Sequence, residues 1–198
     1  MKSVLISIKP KWCELIANGK KTVEVRKTKP KLETPFKCYI YCTSKYDKSG
    51  DGYFQGKYCG KVIGEFVCDK IDIIRKRGVN SNFDYCYLPL DKFGNDDVEI
   101  EITDIKKSCI NKEKLNEYGT NARNLYAWHI SDLVIYDNPK ELGEFNALCP
   151  YKLPNGTRVN ENCPCGKYTW DIDDATGKAF CTRKITRPAQ SWCYVEEL

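Results

Sequence analysis

Residues 3–8 (Ser-Val-Leu-Ile-Ser-Ile) form an apolar, β-branched run that predicts a strand. Pro10 presets the backbone for a first helical turn, and Trp12, Leu15 and Ile16 then recur at three- and four-residue steps through Asn18, which predicts a short amphipathic helix. Gly19 supplies its stop, because glycine takes the left-handed conformation without a Cβ penalty. Over residues 22–26 the period changes to two. Val23 and Val25 face one side, and Thr22, Glu24 and Arg26 face the other. The pattern predicts a strand with one packed face and a solvated, charge-paired outer face.

Residues 36–43 alternate in the same way, with Phe36, Cys38, Ile40 and Cys42 against Lys37, Tyr39 and Tyr41. Residues 44–60 read as a loop punctuated by Gly50, Gly52 and Gly56. Lys45, Tyr46, Lys48, Tyr53, Phe54, Lys57 and Tyr58 interleave charge and rings along it, which suits phosphates and unstacked bases, or else a hairpin whose rings fold back on the body. One or two strands are predicted within 60–74, a polar insertion or long loop over 75–95, and an alternating strand over 98–105. Asn111 is placed to cap a helix over 112–118 that Gly119 closes. Strands over 125–130 and 133–136 and a helical turn over 139–145 complete a β-rich α+β chain.

The 198 residues, 41% of them hydrophobic, are most simply one domain with an elaboration. No run of eighteen apolar residues and no signal-peptide pattern is present, so a soluble, cytoplasmic chain is expected. The net charge of +5 is mild for a protein that holds a long polyanion, but its distribution is local. Lys9, Lys11, Lys20, Lys21, Arg26, Lys27, Lys29 and Lys31 crowd the first 31 residues against only Glu14 and Glu24. That excess marks either a phosphate-attracting or a solubilising surface.

Twelve cysteines without an export signal point to reduced thiols or metal ligands rather than disulfides. Cys38, Cys42 and Cys68 sit in apolar runs and read as small buried hydrophobes. Cys149, Cys163, Cys165 and Cys181 fall instead in a polar, Gly- and Pro-containing stretch, where a structural zinc on four thiolates would close loops that have no apolar core. Cys-Pro-Cys replaces the usual Cys-x-x-Cys knuckle there, so free surface cysteines are the competing reading, with Cys193 a substitute ligand or a buried residue. His129 is the only histidine; beside Trp128 and Ser131 it either meets a base or serves the scaffold. No nucleophile elbow, Walker loop or dinucleotide fingerprint supports the common catalytic schemes. Trp12 and Trp192 each suit a cleft wall or a core.

Gly19, Lys21, Glu24 and Arg26 spell Gly-x-Lys-x-x-Glu-x-Arg after a strand and a short helix. With residues 60–68 (GKVIGEFVC), 128–136 (WHISDLVIY), Pro139-Lys140-Glu141-Leu142 and 187–194 (RPAQSWCY), the chain resembles ASCH domains of the bacterial and phage type, relatives of the PUA RNA-binding modules. The resemblance implies a PUA-like, partly closed β-barrel with short rim helices over 1–145. It leaves an irregular, Cys-containing insertion over 146–186 and a terminal strand over 187–198 that returns to the barrel. The cleft would bind RNA or a nucleotide without a required cofactor. Lys20, Lys21 and Arg26 would serve phosphate, and Glu24 would pair with a cation or accept from a base or ribose. Tyr39, Tyr41 and Trp128 would stack, with His129 and Ser131 alongside.

Some members of the wider family are amidohydrolases of acylated cytidine, which implies a lysine, a threonine three residues later and a downstream glutamate. Lys21 matches the lysine, but Glu24 stands in the nucleophile's place, and a carboxylate attacking an amide would have to form an anhydride. Thr22 is out of register, and Glu113 and Glu117 are only candidates for the glutamate. A metal-dependent ribonuclease, drawing on Asp96, Asp97, Asp132, Asp173 or Asp174, is the weaker alternative.

Overall fold

The computed structural model describes residues 2–43, 58–78, 85–89, 106–148, 170–172, 179–181 and 184–198. β1 (Lys2–Ile8) leads into α1 (Pro10–Ala17), which buries Cys13 and Ile16. The helix stops as a glycine cap requires: Gly19 has φ +67°, its N–H donates to the Ile16 carbonyl, and the Lys20 N–H donates to Leu15. These two bonds satisfy the last carbonyls and turn the chain directly into β2 (Val23–Arg26).

The remaining strands are β3 (Phe36–Cys42), β4 (Val62–Cys68), β5 (Ile71–Gly78), β6 (Tyr85–Pro89), β7 (Asn124–His129), β8 (Ser131–Lys140), β9 (Trp170–Ile172), β10 (Ala179–Cys181) and β11 (Trp192–Glu196). They form a five-stranded sheet in the order β11-β1-β3-β4-β8, a four-stranded sheet in the order β2-β7-β5-β6, and the β9–β10 pair. β1 runs parallel to β3 and antiparallel to β11. The result is a mixed α+β fold with two main sheets and few helices. The described pairings close neither sheet on itself, so the barrel that the resemblance implies is not formed by them.

Two compact units divide the chain. One comprises 1–10, 38–64 and 136–198; the other comprises 11–37 and 65–135. The first is built on Leu5, Tyr39, Tyr41, Val62, Leu142, Phe145 and Val195, with the Tyr39 and Phe145 rings edge to face at 5.0 Å. The second is built on Val23 and Val25 of β2, Ile74 of β5, Leu125 and Ala127 of β7, and Leu115 of α2 (Lys112–Tyr118). Asn111 caps α2 as expected, its side-chain oxygen accepting from the Lys114 N–H at 2.9 Å. Gly119 follows with φ −85°, so this helix ends without a left-handed residue.

Several expectations change. Part of the predicted 75–95 loop is an antiparallel pair, because β5 continues through Gly78 against β6. Pro139 and Lys140 belong to the end of β8, which leaves only a 3-10 turn at Leu142–Glu144. The 146–186 insertion contains the β9–β10 pair. Most important, β2 is buried on both faces, so its outer face is not solvated. The predicted strand over 98–105 and the loop over 44–57 lie outside the described residues. Among the described residues, no helix is long and apolar enough to cross a membrane.

A Cβ added at Gly19 would meet nothing within 4 Å, so its substitution costs conformation rather than space. Gly19→Ala is expected to lower unfolding stability by about 1–2 kcal/mol, read from urea midpoints, because an L-residue must then hold the left-handed backbone.

Candidate functional site

The site is built on β2 and on the turn before it. In the antiparallel pairing of β2 with β7, Glu24 stands opposite Trp128 and Arg26 opposite Tyr126, so these four share one face of the sheet. Val23 and Val25 point to the other face, into the core with Leu125 and Ala127. The charged face is nonetheless covered: the side chains of Lys21, Glu24 and Arg26 are 0%, 7% and 9% exposed.

One carboxylate joins the two cations. Glu24 Oε2 lies 3.2 Å from Lys21 Nζ, and Glu24 Oε1 lies 3.0 Å from Arg26 Nε. The Lys21 ammonium also donates to the Ser108 carbonyl at 2.6 Å and sits 5.0 Å from the centre of the Trp12 ring. An ammonium has three donors, and these three partners account for its burial. The trio retains one net positive charge.

A strap from residues 107–109 holds the turn in place. The Thr22 N–H donates to Lys107 O, the Lys21 ammonium donates to Ser108 O, and Cys109 Sγ donates to Lys20 O at 3.3 Å, with Cys109 itself at φ +57°. Lysines flank the buried trio. Lys20, Lys27 and Lys29 are exposed; Lys27 Nζ lies 5.0 Å above the Tyr118 ring and Lys29 Nζ 5.8 Å above Tyr126. Burial raises the Tyr118 hydroxyl above the usual tyrosine range; the Arg26 charge opposes that rise, Glu24 adds to it, and a hydrogen bond with the Lys27 backbone lowers it again.

Residues 6–67 match the family model of the ASCH domain. The matched segment contains α1, β2 and β3, and with them the whole Gly19, Lys21, Glu24, Arg26 motif. Among solved structures, the chain is similar to ASCH from Zymomonas mobilis, at 17% identity and a TM-score of 0.46 over 71% of this chain and 73% of that one. It is similar to two variants of that protein as well. A tyrosine-to-phenylalanine form matches at 17% identity and TM-score 0.46 over 72% and 77% of the two chains. A serine-to-alanine form matches at 18% and 0.45 over 71% and 74%. No curated protein matches the chain.

The structure brings together only part of the expected site. Lys21, Glu24, Arg26 and Trp128 share the charged side, with Lys20 exposed beside them. Trp128, on β7 beside β2, is fully buried, edge to face with Phe36 at 5.8 Å. Tyr39 and Tyr41, expected to stack on bases, are buried in the core of the other unit because β3 is a central strand with both faces covered. Burial raises the Tyr41 hydroxyl further, with Cys42, Cys59 and Glu141 adding to it.

His129 stands opposite Val23 and so belongs to the opposite sheet face from Glu24. Its Nε2 is 2.7 Å from Asp72 Oδ2, which also pairs with Lys70 at 2.9 Å. Ser131 Oγ donates to the Val67 carbonyl at 3.0 Å. Cys68, which ends β4, is a buried thiol pushed up to about 12, chiefly by desolvation and further by Asp69, so it stays protonated and unreactive.

Thr22 is half-buried, and its backbone joins Lys107 and Ile130; Glu113 and Glu117 are exposed on α2. Asp132 is exposed at φ +46°. Asp96, Asp97, Asp173, Asp174, Cys149, Cys163 and Cys165 lie outside the described residues, as does the side chain of Cys181. Among the described residues, no three of His, Cys, Asp and Glu gather as a metal site. Tyr118, Ser108 and the Lys27 and Lys29 positions over rings escaped sequence reasoning; the one local signal was the Asn111 cap, which places Tyr118 at the end of a helix.

Glu24→Gln leaves two buried cations without their carboxylate and is expected to cost about 3–5 kcal/mol, measured by urea unfolding. Adding Lys21→Met to that variant should restore part of the loss, because it removes one of the stranded charges. A second expectation concerns acid. Burial pushes the Asp72 carboxyl up, but hydrogen bonds from His129 and Lys70 and their charges outweigh it and hold it below the usual value. A depressed folded pKa stabilises the protein above the unfolded value, near pH 4, and that stability is lost as pH falls through the folded value. Asp72→Asn should therefore be less stable than the parent at pH 7, with the difference vanishing on acidification below about pH 4.

Proposed function

We propose that the basic face around Lys20, Lys27 and Lys29 binds RNA or a nucleotide through its phosphates, with the buried Lys21, Glu24 and Arg26 trio as its positively charged foundation. The single observation behind this reading is the sharing of Glu24. Both carboxylate oxygens are taken by cations, so Glu24 is a poor nucleophile or base and a good means of holding charge in place. The cations then bias the surface potential toward anions, and the exposed lysines meet them without further desolvation. The ASCH match, a PUA-like family often proposed as RNA-binding, supports the same class of ligand.

The amidohydrolase reading is weaker on the same geometry. Lys21 commits its donors to Ser108 and Glu24, and no hydroxyl stands in the place of Glu24. Turnover of N4-acylcytidine would favour that reading, and Mn²⁺- or Mg²⁺-dependent cleavage of RNA the nuclease.

The test is equilibrium binding of labelled, mixed-sequence single-stranded RNA to the parent and to Lys27→Ala/Lys29→Ala across a salt series. Every phosphate that a missing lysine no longer neutralises should reduce the salt slope by about 0.7, so the double variant should bind more weakly and with a slope shallower by up to about 1.4. Unchanged affinity and slope would refute this face.

A further inference from the structure

We propose that Tyr118 is the base-stacking platform of this face, receiving one unpaired base of a single-stranded nucleic acid while Lys27 takes the adjoining phosphate. The inference rests on the reading of the face as a nucleic-acid binder and adds to it the element that distinguishes bases from bare backbone. Phosphate contacts alone hold any polyanion; a ring adds affinity only where a base is present.

Three observations support it. Tyr118 is 38% exposed, the only ring among the exposed large hydrophobic side chains of the described residues. The rings nominated from sequence, Tyr39, Tyr41 and Trp128, are packed inside, and half-buried Trp12 already covers the Lys21 ammonium. The Tyr118 ring is also anchored through its backbone, which ends α2, a helix whose start is capped by Asn111 and whose Leu115 is buried in the unit's core. A ring fixed in this way loses little freedom when a base arrives.

Lys27 completes the geometry. Its ammonium lies 5.0 Å over the ring on an exposed, flexible stem. It is within reach of the phosphate of the nucleotide whose base stacks there.

The experiment compares labelled single-stranded RNA with an abasic ribose-phosphate oligomer of the same length, using the full chain, Tyr118→Leu and Tyr118→Phe. Leu keeps bulk and helix propensity but has no π face; Phe keeps the ring and loses only the hydroxyl. Tyr118→Leu should bind RNA about tenfold or more weakly, since one stacked base is worth about 1–3 kcal/mol, while its affinity for the abasic oligomer and its salt slope stay as in the parent. Tyr118→Phe should stay within about threefold of the parent on RNA. Equal losses on RNA and abasic oligomer, equal losses in Leu and Phe, or no loss in Leu would each overturn the platform. If the parent binds no RNA, both this proposal and the underlying reading fail. If RNA binding survives Tyr118→Leu but falls with Lys27→Ala/Lys29→Ala, the platform alone fails.

Discussion

The Glu24 carboxylate, shared between Lys21 and Arg26, is the interaction on which the rest of this region depends. Three charges have been taken out of water, and desolvation on that scale is offset only by close geometry and additional hydrogen bonds. The geometry is supplied from several directions. β7 fixes the height of Glu24 through its pairing with β2, the α1 stop places Lys21 in the turn just before β2, and the 107–109 strap provides the carbonyl that completes the ammonium's shell. Remove any of them and a buried charge loses part of what offsets its desolvation.

This arrangement separates two kinds of positive charge. Lys21 and Arg26 are structural cations, with their partners chosen by the fold. Lys20, Lys27 and Lys29 are exposed and able to respond to a ligand. The motif that carries the ASCH resemblance is therefore mostly interior, and the exposed lysines beside it carry less sequence signal.

What was legible in the sequence follows from range. The α1 stop at Gly19, the Asn111 cap and the alternation of Val23 and Val25 are set by residues within a few positions of one another, so local chemistry revealed them. The cover over Glu24 was not legible, because alternation says which side chains share a face and nothing about what lies on that face. Here the cover comes from Trp128, Ser108 and Trp12, the first two of them far along the chain from the motif. Tyr39 and Tyr41 were misread for a related reason. Alternating aromatic and small apolar residues suit an edge or a two-sided strand equally, and only the placement of β3 between β1 and β4 decides. β6 escaped notice because its residues are few and set among polar ones.

The pairing of β2 with β7 also bears on modularity. The segment that carries the family signature ends at residue 67, yet β2 has its strand partner at 124–129 and Lys21 has its carbonyl at 108. A fragment cut to the recognisable segment would contain the whole motif and neither of these supports. Recognisability and structural support are thus different properties of this chain: the segment that matches by sequence leaves out two of the supports of its own motif, and transplanting the motif means transplanting the distant strand and strap that hold it.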